Sequence, residues 1–154
     1  MKPVTVSTTI DRPREEVFDL LDDISRHEAF TDHFLVDWRL TRDDPRGAGA
    51  GVRVKGKLGP HRETVITVVE STPERLVEQG RGGKHFRRRT TGTYTLAATE
   101  RGGTDVTFTL EIEPAGIGDR LQGPMMRAYL RRQNARAMER LRDLMEGRAS
   151  AAAG

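Results

Sequence analysis

The sequence predicts an α+β domain in which a curved, seven-stranded antiparallel sheet surrounds a long C-terminal helix. Three observations support this fold class. Seven segments have the two-residue period of strands, and turn residues separate them at hairpin spacing. Two short apolar segments of helical character follow the first strand, and residues 117–147 have the period of a long helix.

The N-terminal segment alternates between apolar and polar residues from Val4 to Ile10, which indicates a half-buried strand. Asp11 can cap the segment that follows, and Pro13 suits a first helical turn. A second short helix is predicted at residues 24–31. Helices of this length are stable only when they pack against another element, here the sheet.

The period changes to two at residue 34, and the predicted inner face carries Phe34, Val36, Trp38 and Leu40. Five more strands are predicted at residues 52–58, 62–70, 76–81, 86–98 and 104–112. Glycine and proline interrupt the chain between them, as hairpin turns require.

The long C-terminal helix, residues 117–147, is apolar on one narrow face. That face carries Met126, Leu130, Asn134, Ala137, Leu141 and Leu144. The opposite face, which we expect to meet solvent, carries Arg132, Arg136, Glu139, Arg140 and Asp143. We therefore expect a single domain at residues 1–147 and a flexible tail at residues 148–154.

The composition excludes several classes of function. The chain has no cysteine, so it forms no disulfide and has no thiolate nucleophile. Its 26 basic and 23 acidic residues give a net charge of only +3, and aromatic residues make up 5%, so no nucleic-acid partner is expected. The four histidines lack the spacing of a metal site, so we expect no metal and no cofactor.

The distribution of apolar residues favours a cytoplasmic protein. No run approaches the roughly 18 apolar residues of a transmembrane helix. The first nine residues lack the apolar core of a secretory signal. The sequence does not distinguish a monomer from a homodimer.

The apolar widths of the two layers predict an internal cavity. The helix face is narrow and the sheet face is wide, so a curved sheet around one helix leaves unfilled volume, which is a common ligand site. We expect the ligand to contact Phe34, Trp38, Val54, Leu58, Phe86, Arg88, Tyr94, Phe108, Met126, Leu130 and Asn134.

Three of these residues have alternative interpretations. Trp38 could be ordinary core rather than a cavity wall. Asn134 could bond to a nearby strand or loop rather than to a ligand. Arg88 points inward only if its strand has no bulge, and otherwise belongs to the solvated run 87–89.

Two motifs near the ends of the sheet resemble a known superfamily. The first is Val4-x-Val6-Ser7-x-x-Ile10-x-x-Pro13-x-Glu15-x-Val17-Phe18, and the second is Gly102-Gly103-Thr104-x-Val106-Thr107-Phe108. Together with Leu141-x-x-Leu144, they resemble the SRPBCC superfamily, which includes START, Bet v 1-like and polyketide cyclase/dehydrase proteins. The resemblance covers nearly the whole chain, is closest to the polyketide cyclase/dehydrase branch, and implies a helix-grip fold.

Three functions are compatible with these observations. The first is binding of an apolar or amphipathic small molecule, lipid-like, polyketide-like or hormone-like, in the cavity. The second is a polyketide aromatase/cyclase that uses Tyr94, Arg88 and Asn134 on a ligand held there, although no spacing identifies catalytic residues. The third is a basic peripheral module in which Arg132, Arg136 and Arg140 contact anionic lipid or nucleic acid, although Glu139 and Asp143 oppose it.

Overall fold

The computed structural model describes residues 2–113 and 123–148. Its antiparallel sheet has the order β1-β7-β6-β5-β4-β3-β2. The strands are β1 (Val4–Ile10), β2 (Leu35–Leu40), β3 (Gly51–Gly56), β4 (Glu63–Thr72), β5 (Arg75–Gly82), β6 (Arg88–Ala98) and β7 (Thr104–Glu113). The helices are α1 (Arg14–Asp22), α2 (Glu28–Thr31) and α3 (Gly123–Glu146). The predicted helix-grip α+β fold is confirmed.

The helical region predicted at residues 24–31 consists of two pieces. A 3-10 turn at Ile24–His27 begins where Oδ1 of Asp23 accepts a hydrogen bond from the amide of Ser25 at 3.0 Å, and α2 follows it. Ile24 and Phe30 of these pieces are buried in the core.

The C-terminal half of helix α3 belongs to the hydrophobic core. There Ala137, Met138 and Leu141 are buried together with Val17 and Leu21 of α1. The predicted helix start at residues 117–122 and the tail from residue 149 onward lie outside the described residues.

The predicted polar face of α3 is partly wrong. Arg140 is not a surface base: its guanidinium binds Asp32 at 2.6 Å and the carbonyl of Ala29 at 2.9 Å. Asp143 is also buried, whereas Leu144 is 44% exposed. The reason is that α2 packs against the side of α3 that the sequence assigns to solvent.

The predicted inner face of β2 is also partly wrong. The pairing of β2 with β3 shifts between Val36 and Arg39, and Asp37 within this bulge has a φ of 55°. A bulge reverses the alternation of side chains. Leu35 therefore lines the cavity before the bulge in place of Val36, and Trp38 lines it after the bulge. Leu40 pairs with the buried Val52 but is 43% exposed in β2, which is the edge strand of the sheet.

Candidate functional site

A cavity of about 710 Å³ lies between the inner face of the sheet and the N-terminal half of α3. The sheet contributes alternate residues of β3 to β7, and α3 contributes Met126, Tyr129, Leu130 and Asn134. His27 and Thr31 close it on the side of the short helices. This volume is within the range of small-molecule sites, roughly 300–1,000 Å³.

The lining of the cavity contains most of the ligand-contacting residues predicted from the sequence. Ten of the eleven line the cavity, namely Phe34, Trp38, Val54, Leu58, Arg88, Tyr94, Phe108, Met126, Leu130 and Asn134. The exception is Phe86, which is 40% exposed and does not line the cavity. Its strand begins only at Arg88, and Phe86 lies in a 3-10 turn with a φ of 54°, which removes it from the alternation of β6.

The three positions with alternative interpretations all line the cavity. Trp38 lines the cavity, and its Nε1 donates a hydrogen bond to the carbonyl of Leu35 at 3.0 Å. Asn134 lines the cavity too, but its Nδ2 donates to the carbonyl of Leu130 at 2.8 Å, within its own helix. Arg88 faces inward because β6 pairs with both neighbouring strands without a bulge.

Glycines on the inner face of the sheet help to make this volume. Gly80 and Gly82 of β5 and Gly92 of β6 all line the cavity. A Cβ added at Gly92 would lie 3.0 Å from the ring of Phe108 and 3.8 Å from Oε2 of Glu78. The absence of a side chain at residue 92 therefore leaves space for both groups.

Two titratable residues that the sequence analysis did not identify meet at the cavity. His27 is 3% exposed and Glu78 is 9% exposed, and Nδ1 of His27 lies 3.3 Å from Oε1 of Glu78. Although these two atoms are this close, their geometry is not that of a regular hydrogen bond. Oε1 of Glu78 has no other hydrogen-bond partner among the described residues. Burial of a carboxylate oxygen without a hydrogen bond is costly, so the His27–Glu78 contact lacks a favourable bond at Oε1.

Hydrogen bonding fixes where the protons of this pair can lie. Nε2 of His27 is 2.8 Å from the carbonyl oxygen of Leu21, which only accepts, so Nε2 carries a hydrogen. A hydrogen bond between Nδ1 of His27 and Oε1 of Glu78 would therefore need one proton held between these two atoms.

Tyr94 is next to this pair. Its ring meets that of His27 edge-on, with centroids 5.8 Å apart, and is 4.6 Å from the ring of Phe108. Burial, and secondly the negative charge of Glu78, raise the pKa of Tyr94 well above its ordinary value of 10.0. The hydroxyl therefore stays protonated and can donate a hydrogen bond, but it does not act as a phenolate base.

Two loops form the exposed end of the cavity. They are residues 57–62 between β3 and β4 and residues 83–87 between β5 and β6. All of residues 57–62 line the cavity, as do Gly83 and Lys84, and Leu58 is 57% exposed. His61, His85 and Phe86 in these loops have φ values of 54° to 57°. Such conformations are strained for residues other than glycine and are concentrated at functional segments. We call these two loops the mouth of the cavity.

The described part of the chain contains neither a metal-binding cluster nor a membrane-spanning helix. Within residues 2–113 and 123–148, no three acidic or histidine side chains are arranged to hold a metal ion. None of the described helices combines the length and apolarity needed to cross a membrane.

Comparison with solved structures identifies the same architecture elsewhere. TTHA0849 from Thermus thermophilus has a TM-score of 0.72 at 17% identity, over 95% of this chain and 98% of that chain. Norcoclaurine synthase from Thalictrum flavum, solved in complex with dopamine and hydroxybenzaldehyde, has a TM-score of 0.70 at 12% identity, over 97% and 89% of the two chains. At these identities the likeness shows the fold alone.

Sequence comparison is more specific about ancestry. No curated protein sequence matches the chain. A family model described as "Polyketide cyclase / dehydrase and lipid transport" matches residues 1–146, nearly the full length. The chain therefore belongs to the polyketide cyclase / dehydrase and lipid transport family, within the SRPBCC superfamily that its N-terminal and β7 motifs resemble.

Proposed function

We propose that this protein binds an apolar or amphipathic small molecule in the cavity between the sheet and α3. The observation that carries the proposal is a cavity of about 710 Å³ whose wall is mainly aromatic and aliphatic but contains a few buried polar groups. Apolar walls supply affinity, and a small number of polar groups fix orientation. Membership of a family that includes lipid transport agrees with this type of ligand.

The test is a fluorescence titration with N-phenylnaphthylamine, an uncharged apolar probe. Leu130→Trp directs a larger side chain into the cavity and should weaken binding about tenfold or more, because it occupies ligand volume. Leu144→Trp is the matched control, since Leu144 is on the same helix but outside the cavity lining. Absence of binding, or equal binding by both variants and the parent, would overturn the proposal.

A second candidate function, acid–base catalysis on the bound molecule, is favoured by the His27–Glu78 pair. A carboxylate at the cavity wall could remove a proton next to a ligand carbonyl, and the Tyr94 hydroxyl could donate a hydrogen bond to the carbonyl oxygen. These are steps that a cyclase or dehydratase acting on a polyketide requires. The Arg88 and Asn134 side chains, which the sequence suggested for this role, lie at the mouth and within a helix hydrogen bond, respectively.

Hydrogen exchange of acetophenone in deuterated water tests this second function. Its methyl hydrogens exchange slowly without a catalyst, so catalysis appears as faster incorporation of deuterium, measured by mass spectrometry. We expect the rate enhancement to disappear in Glu78→Gln. An enhancement that is absent from the parent, or the same in Glu78→Gln, would exclude this function while leaving ligand binding in place.

A further inference from the structure

Charged side chains are unevenly distributed along the cavity. Among its described lining residues, four have basic side chains, namely Lys57, Arg62, Lys84 and Arg88. The acidic member of this lining is Glu78. We propose, building on the function proposed above, that the ligand is an amphipath whose anionic group is held at the mouth, with its apolar body directed towards Glu78.

Strand pairing gives the separation of the two regions. Gly82 pairs with Arg88 at the mouth end, and Glu78 pairs with Gly92 four residues further along β6. At about 3.4 Å per residue in an antiparallel strand, these two residue pairs are about 14 Å apart. Because both residue pairs face the cavity, a ligand that extends along these strands meets positive charge at one end and Glu78 at the other.

The mouth lysines are available to a ligand. Neighbouring basic residues on the outer side are already paired, Arg53 with Glu63 and Lys55 with Asp37. By contrast, Lys57 and Lys84 are exposed and form no ion pair with the acidic residues among 2–113 and 123–148.

The guanidinium of Arg88 also lies at the mouth, because a Cβ added at Gly83 would be 3.3 Å from its Nη2. This places a third positive group beside the β5–β6 loop. The mouth therefore carries several cations, on two loops and at the start of β6, and its two lysines are the ones available to an anionic group.

Electrostatics also selects the orientation of the ligand. A carboxylate, sulfonate or phosphate at the mouth is attracted by these cations and remains partly hydrated. The same group at the inner end would lose its water and face the negative charge or unpaired oxygen of Glu78. The apolar body, in contrast, is best placed against residues such as Trp38, Phe108 and Leu130.

A matched pair of probes tests this inference. Anilinonaphthalene sulfonate and N-phenylnaphthylamine have the same apolar body, but only the first carries a sulfonate. At low salt we expect the sulfonate to bind about three- to tenfold more tightly, since each exposed charge pair contributes modestly. Added sodium chloride should remove this advantage and leave the uncharged probe unaffected.

Substitutions show which residues cause the preference for the sulfonate. Lys57→Gln with Lys84→Gln should lower the affinity for the sulfonate about three- to tenfold and leave that for the uncharged probe unchanged. Arg39→Gln with Arg101→Gln is the control, because it removes the same net charge from exposed residues outside the cavity. Leu130→Trp should weaken both probes, which separates cavity binding from adsorption to the surface.

The outcomes separate this inference from the proposed function. Equal affinities for the two probes, or a sulfonate affinity that the control lowers as much as the mouth variant, would overturn the anionic-ligand inference and leave cavity binding intact. If neither probe binds, or if Leu130→Trp affects neither, cavity binding itself fails.

Discussion

Nδ1 of His33 accepts a hydrogen bond from Nη1 of Arg140, at a distance of 2.7 Å. The other ring nitrogen, Nε2, is 3.0 Å from the carbonyl oxygen of Gln133 and must donate to it. His33 is therefore held neutral, with its hydrogen on Nε2. Arg140 binds Asp32 and the carbonyl of Ala29 as well, so one arginine fixes the segment 29–33 to α3 beside the cavity.

This arrangement predicts a pH dependence of stability. Burial is the main cause that lowers the pKa of His33 below its ordinary value of 6.5, and the charges of Arg140 and Arg136 act in the same direction. A lowered folded-state pKa means that the unfolded chain binds the proton more readily. The contribution of His33 to the free energy of unfolding should therefore be constant above pH 6.5 and should fall as the pH decreases below 6.5.

Urea unfolding at several pH values measures this contribution. His33→Gln should remove it and flatten the profile below pH 6.5 relative to the parent. His61→Gln is the control, because His61 is exposed at the mouth and should leave the profile unchanged. An identical acid dependence in the parent and His33→Gln would contradict the assignment.

The His27–Glu78 pair predicts strong coupling between two substitutions. His27→Phe fits the aromatic surroundings of Phe30 and Tyr94 but leaves Glu78 buried without its partner. Breaking a buried pair in this way should cost about 3 kcal/mol in the free energy of unfolding. Adding Glu78→Leu should recover part of the loss, because no buried charge then remains. A double-mutant cycle from urea unfolding in which the two effects simply add would contradict this prediction.

The sequence predicts the architecture well because periodicity reports burial directly. The inward alternation from Arg88 to Tyr94 survives in the structure because β6 pairs without a bulge. The same reasoning fails in β2, where the bulge at Asp37 depends on tertiary pairing and leaves no trace in the alternation of residues 34–40. It also fails at Phe86, since the start of a strand is set by the preceding turn.

The sequence contains a signal for the acidic end of the cavity, but periodicity alone does not show which residue this acid contacts. Glu78 is in phase with Leu76, Gly80 and Gly82, so an inward-facing acid was visible in β5. Its partner His27 comes from a distant 3-10 turn, and only the folded arrangement brings the two together. Pairings of this kind depend on distances between elements, which a single sequence does not specify.

Gly92→Ala tests how the cavity volume is maintained. The added Cβ would lie 3.0 Å from the Phe108 ring, so the ring must move. We expect a loss of about 1–3 kcal/mol in stability, typical of overpacking, and weaker binding of N-phenylnaphthylamine. Gly56→Ala is the comparison, because its Cβ has space, with the nearest atom, the carbonyl oxygen of Arg62, 4.0 Å away. Equal stability losses in the two variants would refute the steric explanation.

The backbone of the mouth loops indicates where a ligand enters the cavity. The amide of Gly56 donates to the carbonyl of Arg62 at 3.0 Å and closes the β3–β4 loop. Pro60 has no amide hydrogen, and the amides of residues 57–59 and 61 form no backbone hydrogen bond with other described residues. The second mouth loop contains the left-handed residues His85 and Phe86. Segments with few backbone bonds and strained conformations open at low cost. Entry is therefore expected at the mouth, whereas Arg140 holds the 29–33 side closed.

Hydrogen–deuterium exchange read by mass spectrometry can follow both sides of the cavity at once. Residues 58–62 and 81–85 should exchange fast in the free protein and more slowly with saturating N-phenylnaphthylamine, because a bound molecule contacts both loops. The core strand β7 is the internal reference, since its amides should remain protected in both states. Arg140→Gln should increase exchange at residues 29–33 without changing the mouth loops. Protection of both mouth loops in the free protein, unchanged by the probe, would show that the ligand enters elsewhere, and the segment that Arg140 holds would then be the next region to test.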